Sequence, residues 1–326
     1  MVTRLEIAKP AGATQAWIPL PSVNQKDWIK ANGSTWTTNG VATLERDSHY
    51  GAEMLYVAWA ANQDAAVVEV LSRISAQDRA VDLTRPGNAT AELDDGERKF
   101  NTAGTALIPV DGIVKATSDK ITAGSTTEIE KVRAIYEWVI DNTFRDAKVR
   151  GCGIGDIAAM LKTGNLGGKC ADLNALFVGL VRAAGIPARD VYGIRVAPSK
   201  FGYQSLGANT AVVTKAQHCR AEVFLTGYGW VAADPADVRK VVLEEPPTNL
   251  SVDDPKVVAA RQTLFGAWEG NWLAYNFAHD VALPGSTGPK LGFLMYPQAE
   301  SGSARLDCLD ADNFKYSITA KELTAA

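Results

Sequence analysis

Fourteen residues set between glycine-bearing stops constrain this chain more than any others. From Ala171 to Ala184, the apolar residues Leu173, Leu176, Phe177, Leu180, Val181 and Ala184 recur at steps of three and four, the spacing of one helical face. The run predicts a core helix. A glycine-rich loop, Gly164-Asn165-Leu166-Gly167-Gly168-Lys169, precedes it, and Gly185 followed by Pro187 supplies a left-handed stop. Asp172 falls in the first turn, where the helix dipole favours a carboxylate. The residue that starts the run is Cys170.

A thiol at a helix N-terminus meets orphan backbone N–H groups and the positive end of the dipole, and both favour thiolate over thiol. A free cysteine is nevertheless more often a small buried hydrophobe, so its partners decide. Only His49, His218 and His279 are available as bases. His218 opens the run Gln217 to Leu225, which is followed by Thr226-Gly227-Tyr228-Gly229 and then Trp230 to Asp234-Pro235. Two apolar-rich strands around a glycine-bearing turn predict a β-hairpin closed by Pro235. If the loop is Thr226 to Tyr228, Leu225 faces Gly229 and Arg220 faces Asp234. Asp234 is then the same-face diagonal neighbour of His218. A loop one residue shorter would turn Asp234 to the opposite face.

Nucleophile, base and orienting acid thus occur in the order Cys170, His218, Asp234. In such a site the imidazole takes the thiol proton, the carboxylate fixes the imidazole tautomer, and the proton later goes to the leaving amine. The backbone N–H of Cys170 is one oxyanion donor by position. A second is sought in the loop Gly151 to Gly168, with Asn165 as a candidate.

The runs Gly168-Lys169-Cys170-Ala171-Asp172-Leu173, Leu180 to Arg189, His218 to Val223, and Gly229-Trp230-Val231 through Asp234-Pro235 together resemble the transglutaminase-like superfamily. The resemblance covers about residues 119 to 240. It implies an α+β, papain-like cysteine-enzyme core and carries catalytic roles onto Cys170, His218 and Asp234. A softer likeness to the β-rich amino-terminal region of bacterial members rests on Ala16 to Pro21 and Tyr50 to Leu55. Family members often carry tryptophan two residues after the histidine, where this chain has Arg220, so Arg220 is a candidate for shaping the acyl pocket.

Four cysteines, Cys152, Cys170, Cys219 and Cys308, are too few and too dispersed for a disulfide scaffold, and no C-x-x-C pair suggests zinc. No metal or cofactor is expected. Cys219 alternates away from His218 and reads as a buried structural thiol, while Cys152, in Gly151-Cys152-Gly153-Ile154-Gly155, is a candidate for lining the cleft. A net charge of −4 argues against a nucleic-acid partner, and 46% hydrophobic residues fit a soluble globular protein. No stretch approaches the roughly 18 apolar residues of a membrane span, and no signal peptide is visible. Because Thr3 to Ile7 already alternates like a strand, an upstream leader is entertained, and an exported, periplasmic setting is slightly favoured through the bacterial resemblance.

Three regions are expected. Residues 1–118 read as an all-β, sandwich-like domain, with Asn39-Gly40 as a type I′ hairpin turn and strand-like alternation at Val68, Val70, Ser72 and Ile74. Residues 119–245 form the catalytic core, opened by a capping box at Ser125-Thr126-Thr127-Glu128. Residues 246–326 form a carboxy-terminal extension packed on the core. It contains a helix from Asp253 or Asp254 to Phe265, then aromatic residues Trp268, Trp272, Tyr275 and His279 that pack on the core or wall the substrate, with Trp272 taken as a pocket candidate. The whole reads as a thiol enzyme acting on amide bonds of a peptide or protein. Hydrolysis is favoured over glutamine transamidation because water needs no dedicated site. The rival reading is a non-catalytic peptide or cell-wall binding module. Oligomeric state is left open.

Overall fold

The computed structural model describes residues 1–85 and 92–323. The amino-terminal region builds two antiparallel sheets. One runs in the order Lys315–Thr319, Val2–Ala8, Ala65–Ala76, Ile29–Thr38, and the other in the order Ala304–Arg305, Gln298–Ser301, Thr14–Pro19, Glu53–Trp59, Val41–Arg46. Leu5 and Ile7 alternate with exposed Arg4 and Glu6 along the first strand, and they pack with Ile18, Leu55, Val57, Val68 and Val70 between the sheets. This is the inward-outward alternation of a sandwich.

Asn39-Gly40 does not close a hairpin. The strand before it pairs with Ala65–Ala76 and the strand after it pairs with Glu53–Trp59, so the dipeptide is a corner between the sheets. Neither residue has the positive φ that a type I′ turn requires. The Asn39 side chain holds the corner instead: it accepts from the Trp59 indole at 2.7 Å and from Val67 N at 3.0 Å, and donates to Ala65 O at 2.8 Å.

The region to residue 118 is not all-β, for helices Asp95–Thr102 and Gly112–Thr122 follow the sandwich strands. The next helix, Glu128–Asn142, begins two residues later than expected. Thr127 caps Glu130 N, while the Glu130 carboxylate reaches back to Thr126 N and Thr127 N, displacing Ser125 and Glu128 from those roles. That helix packs beside Cys170–Ala183, and both lie against a four-stranded antiparallel sheet in the order Gly229–Ala233, Gln217–Leu225, Ala188–Arg195, Trp272–Asn276. Between strand and linker the chain adds an unforeseen helix, Pro235–Glu244, capped by Asp234 with Pro235 in its first turn. Asp254 caps the expected later helix, Pro255–Thr263.

The carboxy-terminal third is threaded through both halves of the molecule. Trp272–Asn276 completes the core sheet, Gln298–Ser301 pairs with Thr14–Pro19, and Lys315–Thr319 pairs with Val2–Ala8. Among the described residues, no helix is long and apolar enough to cross a membrane.

Candidate active site

The helix Cys170–Ala183 is buried along its whole length, and Cys170 is its first residue, 3% exposed. Asp172, one turn in, fixes the approach of the preceding loops. Its Oδ2 accepts from Lys169 N at 2.9 Å, and its Oδ1 accepts from Ile154 N and Gly155 N at 2.9 Å each. Gly153, at φ +96°, fits only because it lacks a side chain: a Cβ there would lie 1.8 Å from Asp172 Oδ2. This clamp brings Cys152 alongside the first turn of the Cys170 helix, where its carbonyl accepts from Ala171 N at 2.9 Å and its thiol meets Gln217 O at 3.3 Å. Cys219 is buried in the same core cluster as Cys152 and Cys170.

The hairpin has the register that parity requires. Leu225 pairs with Gly229 and Ala221 with Ala233, so the loop is Thr226 to Tyr228. His218 Nε2 and Asp234 Oδ2 lie 2.7 Å apart, with both residues buried. A second carboxylate, Asp237 Oδ2, lies 3.3 Å from the same nitrogen. Arg195 donates to both Asp237 oxygens, and Asp237 N donates to Asp234 Oδ1 at 3.0 Å. Asn174, one turn along from Cys170, ties the helix to this group: its amide donates to Asp234 Oδ1 at 3.1 Å and Cys219 O at 2.8 Å, and its oxygen accepts from Ala236 N at 3.2 Å.

Burial and the Arg195 charge push the His218 imidazole down, but Asp237 and Asp234 outweigh them and raise it to about 9. Burial would push the Cys170 thiol up. Hydrogen bonding with Cys152, Cys219 and His218, together with the imidazolium charge, overcomes that and holds it well below its ordinary value. The thiols of Cys152 and Cys219 move the other way, Cys152 raised first by its hydrogen bond with Cys170 and then by burial, Cys219 first by burial and then by Cys170. Of the three neighbouring thiols, Cys170 is thus the one whose surroundings favour the thiolate, and since Nε2 faces the carboxylates, Nδ1 is the imidazole nitrogen left to face it.

Arg220 and Trp272 stand behind this group rather than beside a pocket. Arg220 is buried, donates to Glu269 O at 2.8 Å, and stacks 4.8 Å from the Trp272 ring, with Nε 3.8 Å from Asp234 Oδ2. Trp272 is packed with Trp28 and Trp268, and its indole donates to His218 O at 2.9 Å. Asn165 is exposed, and its side-chain oxygen accepts from Gly167 N at 3.2 Å within its own loop. None of the three is brought to a cleft beside the thiol. Trp268 and Tyr275 are core residues as well.

Asp237, Asn174 and Arg195 escaped the sequence reading. Faint signals existed: Asn174 is a polar residue four positions after Cys170 on an apolar helix, and Asp237 follows Asp234 by one helical turn. His218, Asp234 and Asp237 also bring ligand-type atoms within 4.8 Å of one another. Their oxygens are already engaged by Arg195, Asn174 and the Asp237 N–H, so the donor set suits an imidazolium better than a metal ion.

The sequence pattern of the transglutaminase-like superfamily matches residues 115–235. A protein of Haemophilus influenzae that carries no functional name is 37% identical over 331 residues, covering 96% of this chain and 87% of that one. A crystal structure from Cytophaga hutchinsonii, described as a candidate cysteine protease, superposes with a TM-score of 0.52 at 14% identity, covering 98% of this chain and 96% of the other. The fold is thus α+β with a transglutaminase-like core behind a β-rich amino-terminal region, a scaffold that carries thiol acyl transfer in general.

Proposed function

Since the chain belongs to the transglutaminase-like superfamily, we propose that it is a cysteine enzyme that hydrolyses amide bonds of a peptide or protein through a thioester. The 2.7 Å contact between His218 and Asp234 carries this reading, because it sets an oriented, charge-stabilised imidazole beside a thiol at a helix N-terminus. The Cys170 thiolate attacks the carbonyl carbon, and the Cys170 N–H meets the developing oxyanion. The His218 Nδ1 proton passes to the leaving amine as the C–N bond breaks. Water then gives a proton to His218 and attacks the thioester, releasing the acid and restoring the Cys170 thiolate beside the imidazolium. Asp234 orients His218, and Asp237 and Asn174 position that pair.

Transamidation uses the same steps with an amine in place of water. Incubation with a glutamine-containing peptide and a labelled amine, followed by mass analysis, separates them. Cleaved or deamidated peptide without label supports hydrolysis, and stable incorporation of label overturns it. No turnover, with Cys170 alkylating no faster than Cys152, Cys219 and Cys308 at pH 6, would make the chain a binding module. Because Cys170 is 3% exposed, substrate entry on this reading requires residues packed around the thiol to shift.

A further inference from the structure

At the opposite end of the nucleophile's helix lies a cavity of about 420 Å³ that the chemistry above does not use. Arg182 reaches it from the helix's last turn, about 18 Å from Cys170 at 1.5 Å per residue. Aromatic walls come from elsewhere in the chain: Tyr50 from the loop after Val41–Arg46, Phe100 from the helix Asp95–Thr102, and Phe277 from beyond the core sheet. Tyr50 and Phe100 meet edge-on with centroids 5.1 Å apart, and His49 caps both at 4.7 and 5.0 Å.

The guanidinium at this cavity is unusual in its partners. Arg182 is 4% exposed, yet its recorded bonds go only to neutral carbonyls, Nε to Ala188 O at 2.7 Å and Nη1 to Ala103 O at 3.1 Å. Among the described residues it forms no ion pair, and Nη2 makes no hydrogen bond. The other arginine of the wall differs. Arg189 is paired with Glu222 at 2.7 Å and sandwiched between Trp230 and Phe277 at 3.8 and 3.9 Å. Arg189 is therefore directly ion-paired, whereas Arg182 has only the buried Asp190 carboxylate as a counter-charge at longer range. A buried guanidinium without a direct ion pair, opening on an aromatic-walled space, is matched by a planar anion with a ring behind it.

We propose that this cavity binds a small aromatic carboxylate, the carboxylate taken by Arg182 and the ring held among Tyr50, Phe100 and Phe277. The volume lies within the roughly 300–1,000 Å³ of small-molecule sites. Glu97 also lines the cavity, and its carboxylate weighs more heavily against a dianion than against a single negative charge.

Calorimetric titration of the full chain tests this with 4-hydroxyphenylacetate as probe, against tyramine (the ring with a cation), acetate (the anion without a ring) and phenyl phosphate (a dianion). One saturable site for 4-hydroxyphenylacetate is expected, with the other three at least tenfold weaker. Arg182→Lys and Phe100→Ala should each weaken binding tenfold or more, and Glu97→Gln should strengthen it. Phe100, at 36% exposure, can be truncated without opening the core, so the test stands even if the Arg182 variant misfolds. Cys170→Ala should leave the affinity unchanged. Absent or non-saturable binding, acetate matching the probe, indifference to Phe100→Ala, or loss of binding in Cys170→Ala would each overturn the proposal.

Discussion

His218 is held by two carboxylates, and the consequence is a pH dependence whose sign can be worked out. Its folded pKa of about 9 lies above the ordinary 6.5, so the stability it contributes is complete below 6.5 and is lost as pH rises through about 9. On the proposed mechanism the alkaline limb of kcat/KM should fall in the same range, because the imidazolium assigned to protonating the leaving amine disappears there. Asp237→Asn removes the largest upward pull and should move that limb towards 6.5 while the acid limb stays; an unmoved alkaline limb would leave Asp237 a purely structural residue. Asp234→Asn should cost about 10³–10⁴-fold in kcat through loss of the orienting acid, measured beside a circular dichroism check of folding. Asp190 gives the opposite sign. Burial raises its carboxyl to about 7, and neither oxygen has a hydrogen-bond partner. The folded state therefore holds its proton more tightly than the unfolded chain, and stability falls as pH climbs from 3.8 to about 7. Asp190→Asn should accordingly raise Tm at pH 8 and change it little at pH 4; equal shifts at both values would remove ionisation as the cause.

Elements convert these residues into a site, and the hairpin does most of that. Deleting Thr226 while the turn keeps its three residues draws Leu225 into the loop, pairs Phe224 with Gly229 and turns Asp234 away from His218. Activity should disappear, while thermal unfolding remains cooperative; a variant that kept full activity would mean the register is set elsewhere. Gly193 gives a second test in the neighbouring strand. A Cβ there would stand 2.1 Å from Leu273 O and 2.3 Å from the Trp272 ring, both fixed in the core, so Gly193→Ala should destabilise by about 1–3 kcal/mol on denaturant unfolding. By displacing the indole that donates to His218 O, it should also lower kcat. The same hairpin explains what was legible in the sequence. Loop length and side-chain parity are local, so the Cys170 helix, the Thr226–Tyr228 loop and the partnering of His218 with Asp234 could be read from one chain. Asn39-Gly40 is a strong local signal too, but its flanking strands are captured by different sheets through pairings with residues 53–76, and sequence-distant pairing overrode the turn. Arg220 and Trp272 misled for a related reason. Their residue types suit a cleft, and only the stacking of Trp28, Trp268 and Trp272 shows that this side of the sheet is closed.

At the scale of the molecule, the amino-terminal sandwich depends on strands made more than two hundred residues later. Val2 pairs with Thr319 and Leu5 with Tyr316, while Gln298 pairs with Trp17. Scanning calorimetry should therefore show one cooperative transition rather than separate melting of sandwich and core, and residues 1–118 expressed alone should fail to give dispersed NMR signals. Two well-separated transitions, or a folded 1–118 fragment, would show the sandwich to be self-sufficient. The joined first and last strands also bear on how the protein is made. While the ribosome is still reading the middle of the message, Val2–Ala8 can dock on Ala65–Ala76, but its other edge stays open, an invitation to pair with a neighbouring nascent chain. Only when Lys315–Thr319 emerges is that edge sealed. Between the making of residue 76 and that of residue 315, the growing chain therefore carries an open strand edge that only its own distant residues can close.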